Sequence, residues 1–477
     1  MNYSKKHIVA SLIWKFSEKI GIQLFNLIIQ IILTRLLLPE DYANVAIIMV
    51  FVQLANLIVQ SGFGSALIQK ENTDIKDFSS VFYLCVISAV ILYVMIFIGA
   101  PFIADFYELN LLTGLLRVQA IIVFPCAINT VQIAYLSRNM LFSKNFFASI
   151  IASILSGIAG IICAYVGLGI WSLIVCNVLN QVILTIALWF FVKWRPTFEF
   201  SFKRVFELFV FGWKLLVSSV LNMFYSNLQT LVIGKVFTTS MLGYYNRGEL
   251  LGTTVMSSVN NAISSVMLPV LSRTQNDLEK FKQIYRRILT LDCFFSFPIM
   301  FGLASVAKPL ITILFTEKWL SAVPFMIMVC IARAFDPIHV TNLEAILAVG
   351  KSETTLKLEI IKKLIGVAFM IITYNINIYV FVFSNIILSF VSTIINSYPN
   401  VKTFNYTIKE QMKDIGPYLV NALIMFCITF GMSMIDMNEW IMIILQIIVG
   451  AVIYILGCWI FKFEAFYYVL DIVKKRK

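Results

Sequence analysis

Polar side chains recur along one side of two otherwise apolar stretches, which begin at Trp14 and Trp213. At about 100° per residue of helix, the polar residues of the first stretch fall within an arc of about 100°, and those of the second within about 80°. Amides and hydroxyls suit sugars, and lysines attract phosphates. The first set is Lys15, Lys19, Gln23, Asn26, Gln30 and Thr34, and the second is Lys214, Ser218, Asn222, Tyr225 and Gln229. The spacing therefore predicts two helices with faces suited to phosphates and sugars.

Two interpretations of these polar faces remain open. Polar groups that faced lipid would lack hydrogen-bond partners, so both faces must meet protein or water. The side chains could join neighbouring helices through hydrogen bonds. Alternatively, they could line a hydrophilic cavity between two halves of the protein, which their continuous run along both helices favours.

A second group of candidates consists of charges inside apolar stretches. Arg333, Asp336 and Glu344 belong to the stretch 322–348, where a continuous helix would place them on one face. A charge at the centre of a span costs about 2.5–3.5 kcal/mol on the insertion scale. An Arg333–Asp336 pair at i, i+3 would relieve part of that cost, either as a structural pair or as part of a substrate path. Asp336 and Glu344 are also candidate ion-coupling acids, and so is Asp292, unless it lies at the membrane edge.

The elements that position these residues follow from the composition. Of 477 residues, 60% are hydrophobic and 13% are charged, whereas soluble domains have about 45–50% apolar and about 25% charged residues. This composition excludes a soluble enzyme, a disordered chain and a fibrous repeat. A spanning helix needs about 20 apolar residues, and about fourteen such stretches follow one another between residues 14 and 461. We therefore predict an all-α, polytopic membrane protein with about 14 transmembrane helices.

An internal repeat divides the predicted helices into two lobes. The segment WKFSEKIGIQLFNLIIQ from Trp14 aligns with WKLLVSSVLNMFYSNLQ from Trp213, and each opens a block of six predicted spans. We therefore predict two pseudo-symmetric six-helix lobes, residues 1–200 and 201–400, followed by two further helices and a basic tail in 401–477. Parallel repeats of this kind are common in transporters, which handle their substrates where the repeats meet.

The basic residues predict an orientation. Most of the 37 lysines and arginines fall in alternate loops and in the tail when the N-terminus is placed in the cytoplasm, as the positive-inside rule requires. Both termini are therefore predicted to be cytoplasmic. The net charge of +12 then reflects basic loops that face anionic lipid, and a nucleic-acid partner is not needed to explain it.

No cofactor and no metal are expected from the sequence. The eight cysteines lie in apolar stretches without a CxxC pair, and only two histidines accompany them. The segment 345–352 looks like a phosphate-binding loop, but its first glycine is missing and it ends a membrane helix rather than following a strand. Any transport would then be driven by an ion gradient, of protons or sodium, or by the gradient of the substrate.

Six segments carry a family resemblance: LTRLLLPEDYANVAI (33–47), QSGFGSALIQKE (60–71), LGYYNRG (242–248), MLPVLSRTQNDLEKFKQIYRR (267–287), FTEKWLSAVP (315–324) and NLEAILAVGK (342–351). They resemble Wzx-type polysaccharide exporters, which are lipid-linked oligosaccharide flippases of the multidrug/oligosaccharidyl-lipid/polysaccharide superfamily. The resemblance is strongest to the exporters of colanic and teichuronic acids.

The resemblance implies a two-lobed, alternating-access flippase rather than an enzyme. Its implied substrate is an undecaprenyl-diphosphate-linked oligosaccharide, moved across the bacterial inner membrane for O-antigen, capsule or exopolysaccharide synthesis. A polymerase and glycosyltransferases of the same pathway are the implied partners. On this interpretation Lys15 and Lys214 attract the diphosphate, and the amides and Tyr225 line the glycan path.

Three rival functions remain. The first is export of a drug or a peptidoglycan precursor by a member of the same superfamily. The second is a membrane glycan polymerase or glycosyltransferase, which would need catalytic carboxylates on a substantial outer loop, whereas the predicted outer loops are short. The third is a structural scaffold, which leaves the polar faces unexplained.

Overall fold

The protein is helical throughout the part of the chain that the structure, a computed structural model, describes: residues 21–475 except 24, 61, 71, 72 and 276. Two short 3-10 segments, Ala120–Ile122 and Glu317–Ala322, precede α6 and α13. The α-helices are α1 Gly21–Leu36, α2 Pro39–Gln60, α3 Phe63–Gln69, α4 Ile75–Tyr107, α5 Leu111–Gln119, α6 Val123–Arg138, α7 Phe142–Tyr165, α8 Trp171–Phe191, α9 Phe202–Val236, α10 Thr239–Ser272, α11 Leu278–Ser305, α12 Ala307–Phe315, α13 Val323–Arg333, α14 Asp336–Ala348, α15 Ser352–Thr373, α16 Ile378–Phe404, α17 Ile408–Met432, α18 Glu439–Ile460 and α19 Glu464–Lys475.

Within the described residues, twelve helical runs are long and apolar enough to cross a membrane. The all-α polytopic fold is therefore confirmed. The first predicted span is described only over Gly21–Leu36, and α15 begins with a charged half that includes Glu353, Lys357 and Lys362. The count of fourteen spans stays a prediction.

The chain forms two compact units that divide between Gly243 and Tyr244. Unit 1 contains α1–α9 and the first residues of α10, and unit 2 contains the rest of α10 and α11–α19. The predicted lobes were drawn from the sequence repeat and not from this packing. Their boundaries, 1–200, 201–400 and 401–477, stay a prediction.

Unit 1 packs around an interrupted helix formed by α5, the 3-10 segment and α6. Pro125 has no N–H to donate to the carbonyl of Ile121, four residues before it, and the chain tightens into the 3-10 segment at that point. The flanking side chains of Leu116, Val123 and Ala127 are fully buried. The interruption is thus held by an apolar core.

Unit 2 contains a second interrupted helix, but its break is charged. α13 ends at Arg333 and α14 begins at Asp336, with Pro337 in its first turn. Pro337 cannot donate to the carbonyl of Arg333, so the two intervening residues form a turn. The face shared by Arg333, Asp336 and Glu344 assumed an unbroken helix over 322–348, and this geometric argument does not hold across the turn.

Candidate functional site

An ionic network fixes the beginning of α9, the helix that carries the second polar face. The Arg204 guanidinium lies 2.5 Å from Asp74 and 3.4 Å from Asp77, and the Lys70 ammonium lies 2.8 Å from Asp77. Asp74 and Asp77 also form a capping box at the start of α4, and the hydrogen bond from Arg204 lowers the pKa of Asp74 below its usual value. The network therefore ties the start of α9 to the end of α3 and the start of α4.

The polar face of α1 is partly open. Asn26 is exposed, Gln23 and Gln30 are half-buried, and Thr34 is buried, where its hydroxyl donates to the carbonyl of Gln30 at 2.6 Å. Lys15 and Lys19 lie outside the described residues. The end of this face at Thr34 is thus packed into unit 1, whereas the part around Asn26 is not.

The polar face of α9 is also partly open. Ser218 and Asn222 are exposed, and Tyr225 and Gln229 are half-buried. The side chain of Lys214 lies outside the described part. If these side chains only joined helices of one unit through hydrogen bonds, all of them would be buried. Asn26, Ser218 and Asn222 are therefore not packed within unit 1, and both interpretations of the polar faces stay predictions.

Unit 2 contains a cluster of charges within its spans. The Arg333 guanidinium lies 3.3 Å from the Asp336 carboxylate across the break, and 44% of the Arg333 side chain is exposed. Glu249, from α10, attracts the same guanidinium and accepts a hydrogen bond from the buried Tyr245 hydroxyl. One arginine therefore serves two carboxylates and still has an accessible surface.

The Asp336 carboxylate is held from several helices. Asn260 of α10 donates a hydrogen bond to it, and the positive charge of Lys362 on α15 also acts on it. Lys362 itself pairs with Glu359 at 2.5 Å. The predicted Arg333–Asp336 contact is formed, and α10, α13, α14 and α15 all contribute to its surroundings.

Buried hydrogen bonds fix α14 against its neighbours. The Tyr285 hydroxyl donates to the Asn342 side-chain oxygen at 2.5 Å, and the Asn400 amide donates to the Tyr285 oxygen at 3.0 Å. All three side chains are fully buried. These buried hydrogen bonds join α11, α14 and α16, so the helix that follows the charged turn is held by its neighbours.

The two remaining candidate acids are Asp292 on α11 and Glu344 on α14. Asp292 lies halfway along α11 and accepts a hydrogen bond from Thr341 at 2.7 Å, so it is not at the end of its helix. Glu344 has one buried carboxylate oxygen without a hydrogen-bond partner among the described residues. The structure does not bring Asp292 or Glu344 into the Arg333 pair by any direct hydrogen bond or ion pair within the described part.

Glu249 is the member of the cluster that sequence reasoning missed. It lies in the segment NRGELL, just before a predicted span, and the sequence pattern therefore assigns it to a loop. The available signal was the excess of carboxylates over arginine in the spans, because an intramembrane carboxylate needs a cation or polar partner. Its partner lies 84 positions away along the chain, at Arg333, and no spacing rule connects the two.

The Arg333 cluster of unit 2 can bind an anion. An arginine presents a planar fork of donors that matches phosphate or carboxylate. The described residues contain no group of three or more potential metal ligands. Together, the many apolar helices and the ion pair within one of the spans define a polytopic membrane protein.

The chain belongs to the family described as polysaccharide biosynthesis proteins, whose sequence profile matches residues 32–324. It is 27% identical over 301 residues to the teichuronic acid biosynthesis protein TuaB of Bacillus subtilis (strain 168), covering 63% of this chain and 62% of TuaB. It is 24% identical over 328 residues to the succinoglycan biosynthesis transport protein ExoT of Rhizobium meliloti (strain 1021), covering 69% and 66% of the two chains. The match thus spans slightly less than two thirds of each of these relatives.

Solved structures show the same fold. The lipid II flippase MurJ in an inward closed conformation superposes with a TM-score of 0.73 at 19% identity, covering 95% of this chain and 98% of MurJ. An inward-facing multidrug resistance transporter of the MATE family and MOP superfamily superposes with a TM-score of 0.58 at 18% identity, covering 81% and 96%. At these identities the likeness extends to the fold and not to the cargo.

Proposed function

We propose that this protein is a flippase for a lipid-linked oligosaccharide, and not an enzyme. The observation that carries the proposal is the half-exposed Arg333 inside a span, beside Asp336 and Glu249. A charge at mid-span costs about 2.5–3.5 kcal/mol on the insertion scale, and a purely structural pair would be sealed from solvent. An anionic cargo gives the exposed guanidinium a partner during transport.

The two polar faces of unit 1 offer groups suited to the neutral part of such a cargo. The exposed Asn26, Ser218 and Asn222, with Gln23, Gln30, Tyr225 and Gln229, offer hydrogen bonds to sugar hydroxyls. The names of related proteins include two biosynthesis products of this chemical class, teichuronic acid and succinoglycan. An undecaprenyl-diphosphate-linked repeat unit combines sugars with two anionic phosphates, so it has groups suited to the polar faces of unit 1 and groups suited to Arg333 of unit 2.

We further propose that Lys15 and Lys214 attract the diphosphate at the cytoplasmic end of the path, in a bacterial inner-membrane protein with both termini in the cytoplasm. Asp292, Asp336 and Glu344 are the proposed acids for coupling to protons or sodium ions. Glycosyltransferases would supply the substrate, and a polymerase would consume the product. These roles follow from charge placement and family membership.

The test is translocation of the cell's own lipid-linked oligosaccharide. A strain that lacks this gene accumulates the substrate on the cytoplasmic side, and its extracted lipid can be reconstituted with the purified full chain in vesicles. We expect an external glycosidase to reach only the outer-leaflet oligosaccharide in protein-free vesicles, and the inner-leaflet oligosaccharide as well in vesicles that contain the protein. Accessibility equal to that of protein-free vesicles would refute the proposal.

A matched pair of variants tests the lysines. Lys15→Ala with Lys214→Ala should reduce surface glycan, whereas Lys402→Ala, a control at an exposed residue near the end of α16, should not. Undiminished glycan in the double variant, with normal expression, would remove the assigned role. Rescue of a strain depleted of its peptidoglycan-precursor flippase would instead identify the rival cargo.

A further inference from the structure

A polar cavity of about 520 Å³ lies in unit 2, away from the Arg333 cluster. Three elements form it: the first half of α11, the beginning of α17 and the C-terminal helix α19. Its lining includes Arg286, Arg287, Asp414, Glu464, Tyr468 and Asp471. None of these side chains has a part in the proposed transport path.

The cavity lies where spanning helices end. α18 ends at Ile460, and the chain then turns through Lys462, whose φ of 51° is in the left-handed region, before α19 begins. The preceding Trp459, Ile460 and Phe461 are each more than 60% exposed, as expected for a surface against acyl chains. Aromatic side chains concentrate at the interface between lipid tails and headgroups, so the cavity opens at headgroup level.

Contacts with α17 and α11 hold α19 in place. The backbone N–H of Ala465 donates to the Tyr418 hydroxyl at 3.3 Å, and the Phe463 ring lies 4.7 Å from the Tyr418 ring. The Phe466 ring lies 6.5 Å from Phe294 of α11. The wall formed by α19 is therefore anchored at its beginning, and the cavity is part of the folded unit.

The charges in the cavity are of both signs. Arg286 and Asp414 neutralise each other through two hydrogen bonds of 2.8 and 2.6 Å. Arg287 lies over the Tyr468 ring at 4.9 Å and has no ion-pair partner within the described part of the chain. Glu464 and Asp471 lie seven residues apart on one side of α19, and likewise form no ion pair with any described residue. A cation and two carboxylates thus remain for a ligand.

We propose that this cavity binds the headgroup of an aminophospholipid, in which a phosphate diester is linked to a primary ammonium. The Arg287 guanidinium would bind the phosphate, for which its planar fork is suited. Glu464 and Asp471 would accept hydrogen bonds from the ammonium, and the acyl chains would lie along the exposed end of α18. A purely anionic headgroup would instead be repelled by the two carboxylates.

The experiment compares three lipids with identical acyl chains on the delipidated full-length protein, by native mass spectrometry: phosphatidylethanolamine, phosphatidylcholine and phosphatidylglycerol. Phosphatidylethanolamine should bind about tenfold more tightly than phosphatidylglycerol, because electrostatic complementarity discriminates between partners. Phosphatidylcholine should be intermediate, since its quaternary ammonium cannot donate hydrogen bonds to the carboxylates.

Variants separate the two halves of the site. Arg287→Gln should weaken phosphatidylethanolamine binding by about tenfold, and Glu464→Gln with Asp471→Asn should shift the preference towards phosphatidylglycerol. Lys280→Gln and Glu279→Gln, at exposed positions in the first turn of α11 outside the cavity, are the matched controls. If Arg287→Gln fails to fold, Arg287→Lys keeps the charge without the fork and should lose part of the binding.

Two results would overturn the proposal. One is equal binding of phosphatidylglycerol and phosphatidylethanolamine to the unaltered chain. The other is unchanged phosphatidylethanolamine binding in both sets of cavity variants, with unfolding temperatures equal to those of the controls. Either result is independent of whether the protein translocates a glycan.

Discussion

The two units each contain an interrupted spanning helix, and the chemistry at the two interruptions differs. In unit 1, the break between α5 and α6 is lined by apolar residues such as Ala120, Ile122 and Val123, all at most 5% exposed. In unit 2, the break between α13 and α14 carries the Arg333–Asp336 pair, which is partly exposed. The same kind of helix interruption is therefore buried among apolar side chains in unit 1 and exposes a charged pair in unit 2.

The comparison extends beyond the breaks. Each helix that follows a break has a proline near its start, Pro125 or Pro337, and a polar residue seven positions later, Gln132 or Glu344. Gln132 is fully buried and both of its amide atoms lack a hydrogen-bond partner among the described residues. Unit 1 thus has an amide where unit 2 has a carboxylate, which concentrates the candidate coupling chemistry in unit 2.

Exchanging these two residues should have the largest effect. Gln132→Glu places a carboxylate in a buried position without a cation, which should lower stability by about 2.5–3.5 kcal/mol, measured as thermal unfolding in detergent. Glu344→Gln should leave stability unchanged or raise it, while export loses its response to an imposed proton gradient. Normal export by Glu344→Gln at every pH would remove it as a coupling acid.

Neutralising Arg333 should be next in size. A hydrogen bond to a charged group contributes about 1.5–3 kcal/mol, so Arg333→Gln should reduce translocation by about tenfold or more. The control is Arg117→Gln in the interrupted helix of unit 1, where Arg117 donates to the Phe97 carbonyl and stacks on the Phe97 ring. That change should leave translocation nearly unaltered.

The triple variant Arg333→Gln, Asp336→Asn and Glu249→Gln distinguishes a structural cluster from a binding residue, because it leaves no carboxylate of the cluster without its cation. If the three charges only neutralise one another, removing all of them should restore export. If Arg333 binds the cargo, the triple variant should be as inactive as Arg333→Gln. Recovery of export would therefore contradict the proposed role.

A third contrast concerns two glycines with positive φ. Gly62 in unit 1 has a φ of 70°, and a Cβ there would lie 2.8 Å from the Gly212 carbonyl oxygen. Gly350 in unit 2 has a φ of 78° and open space around it. The left-handed conformation costs a side-chain-bearing residue about 1–2 kcal/mol, so Gly350→Ala should lose that amount and Gly62→Ala more, because backbone must also move. Equal unfolding temperatures would show that the α3–α9 contact is not tight.

The smallest predicted effect concerns the start of α4 and the start of α11. Asp74 forms a capping box and an ion pair, whereas Asp277 makes a single cap bond to the N–H of Lys280. Loss of an N-cap costs about 0.5–2 kcal/mol, so Asp74→Ala should lie near the upper end and Asp277→Ala near the lower.

Acid provides an independent measurement of the Asp74 cap. The folded state holds the pKa of Asp74 below its usual value of 3.8, so the contribution is complete at neutral pH. It should begin to decline as the pH falls towards 3.8 and disappear below the folded-state pKa. Unfolding of the unaltered chain and of Asp74→Ala should therefore converge in strong acid. A stability difference that persisted there would assign the effect to something other than the carboxylate.

The sequence predicted much of this because the bilayer imposes a strong pattern. A run of apolar residues must form a helix to satisfy its backbone in lipid, so most of the spans could be located from hydrophobicity alone. The Arg333–Asp336 contact was also predictable, since the two residues are three positions apart. The interruption between them was less evident, although Pro337 was its signal.

The contacts between distant parts of the chain could not be predicted in this way. Glu249 and Arg333, or Asp292 and Thr341, meet because different helices pack at particular heights and rotations. Rotation of one helix by a single residue, about 100°, would separate either pair, and no local periodicity specifies that rotation. The roles of the lysines Lys15 and Lys214 in the path stay predictions for the same reason.

The sequence by itself determined the class of the protein: its helical fold, its residence in a bilayer and its two polar faces, because each follows from local composition and period. Only the tertiary structure decided which polar groups are exposed, which charges share a partner and where the cavity beside α19 forms. These depend on long-range packing, in which the low-dielectric surroundings make each buried charge find a specific neighbour. The sequence therefore indicates that the few charged residues within the spans are important. Their partners can be identified only from the fold.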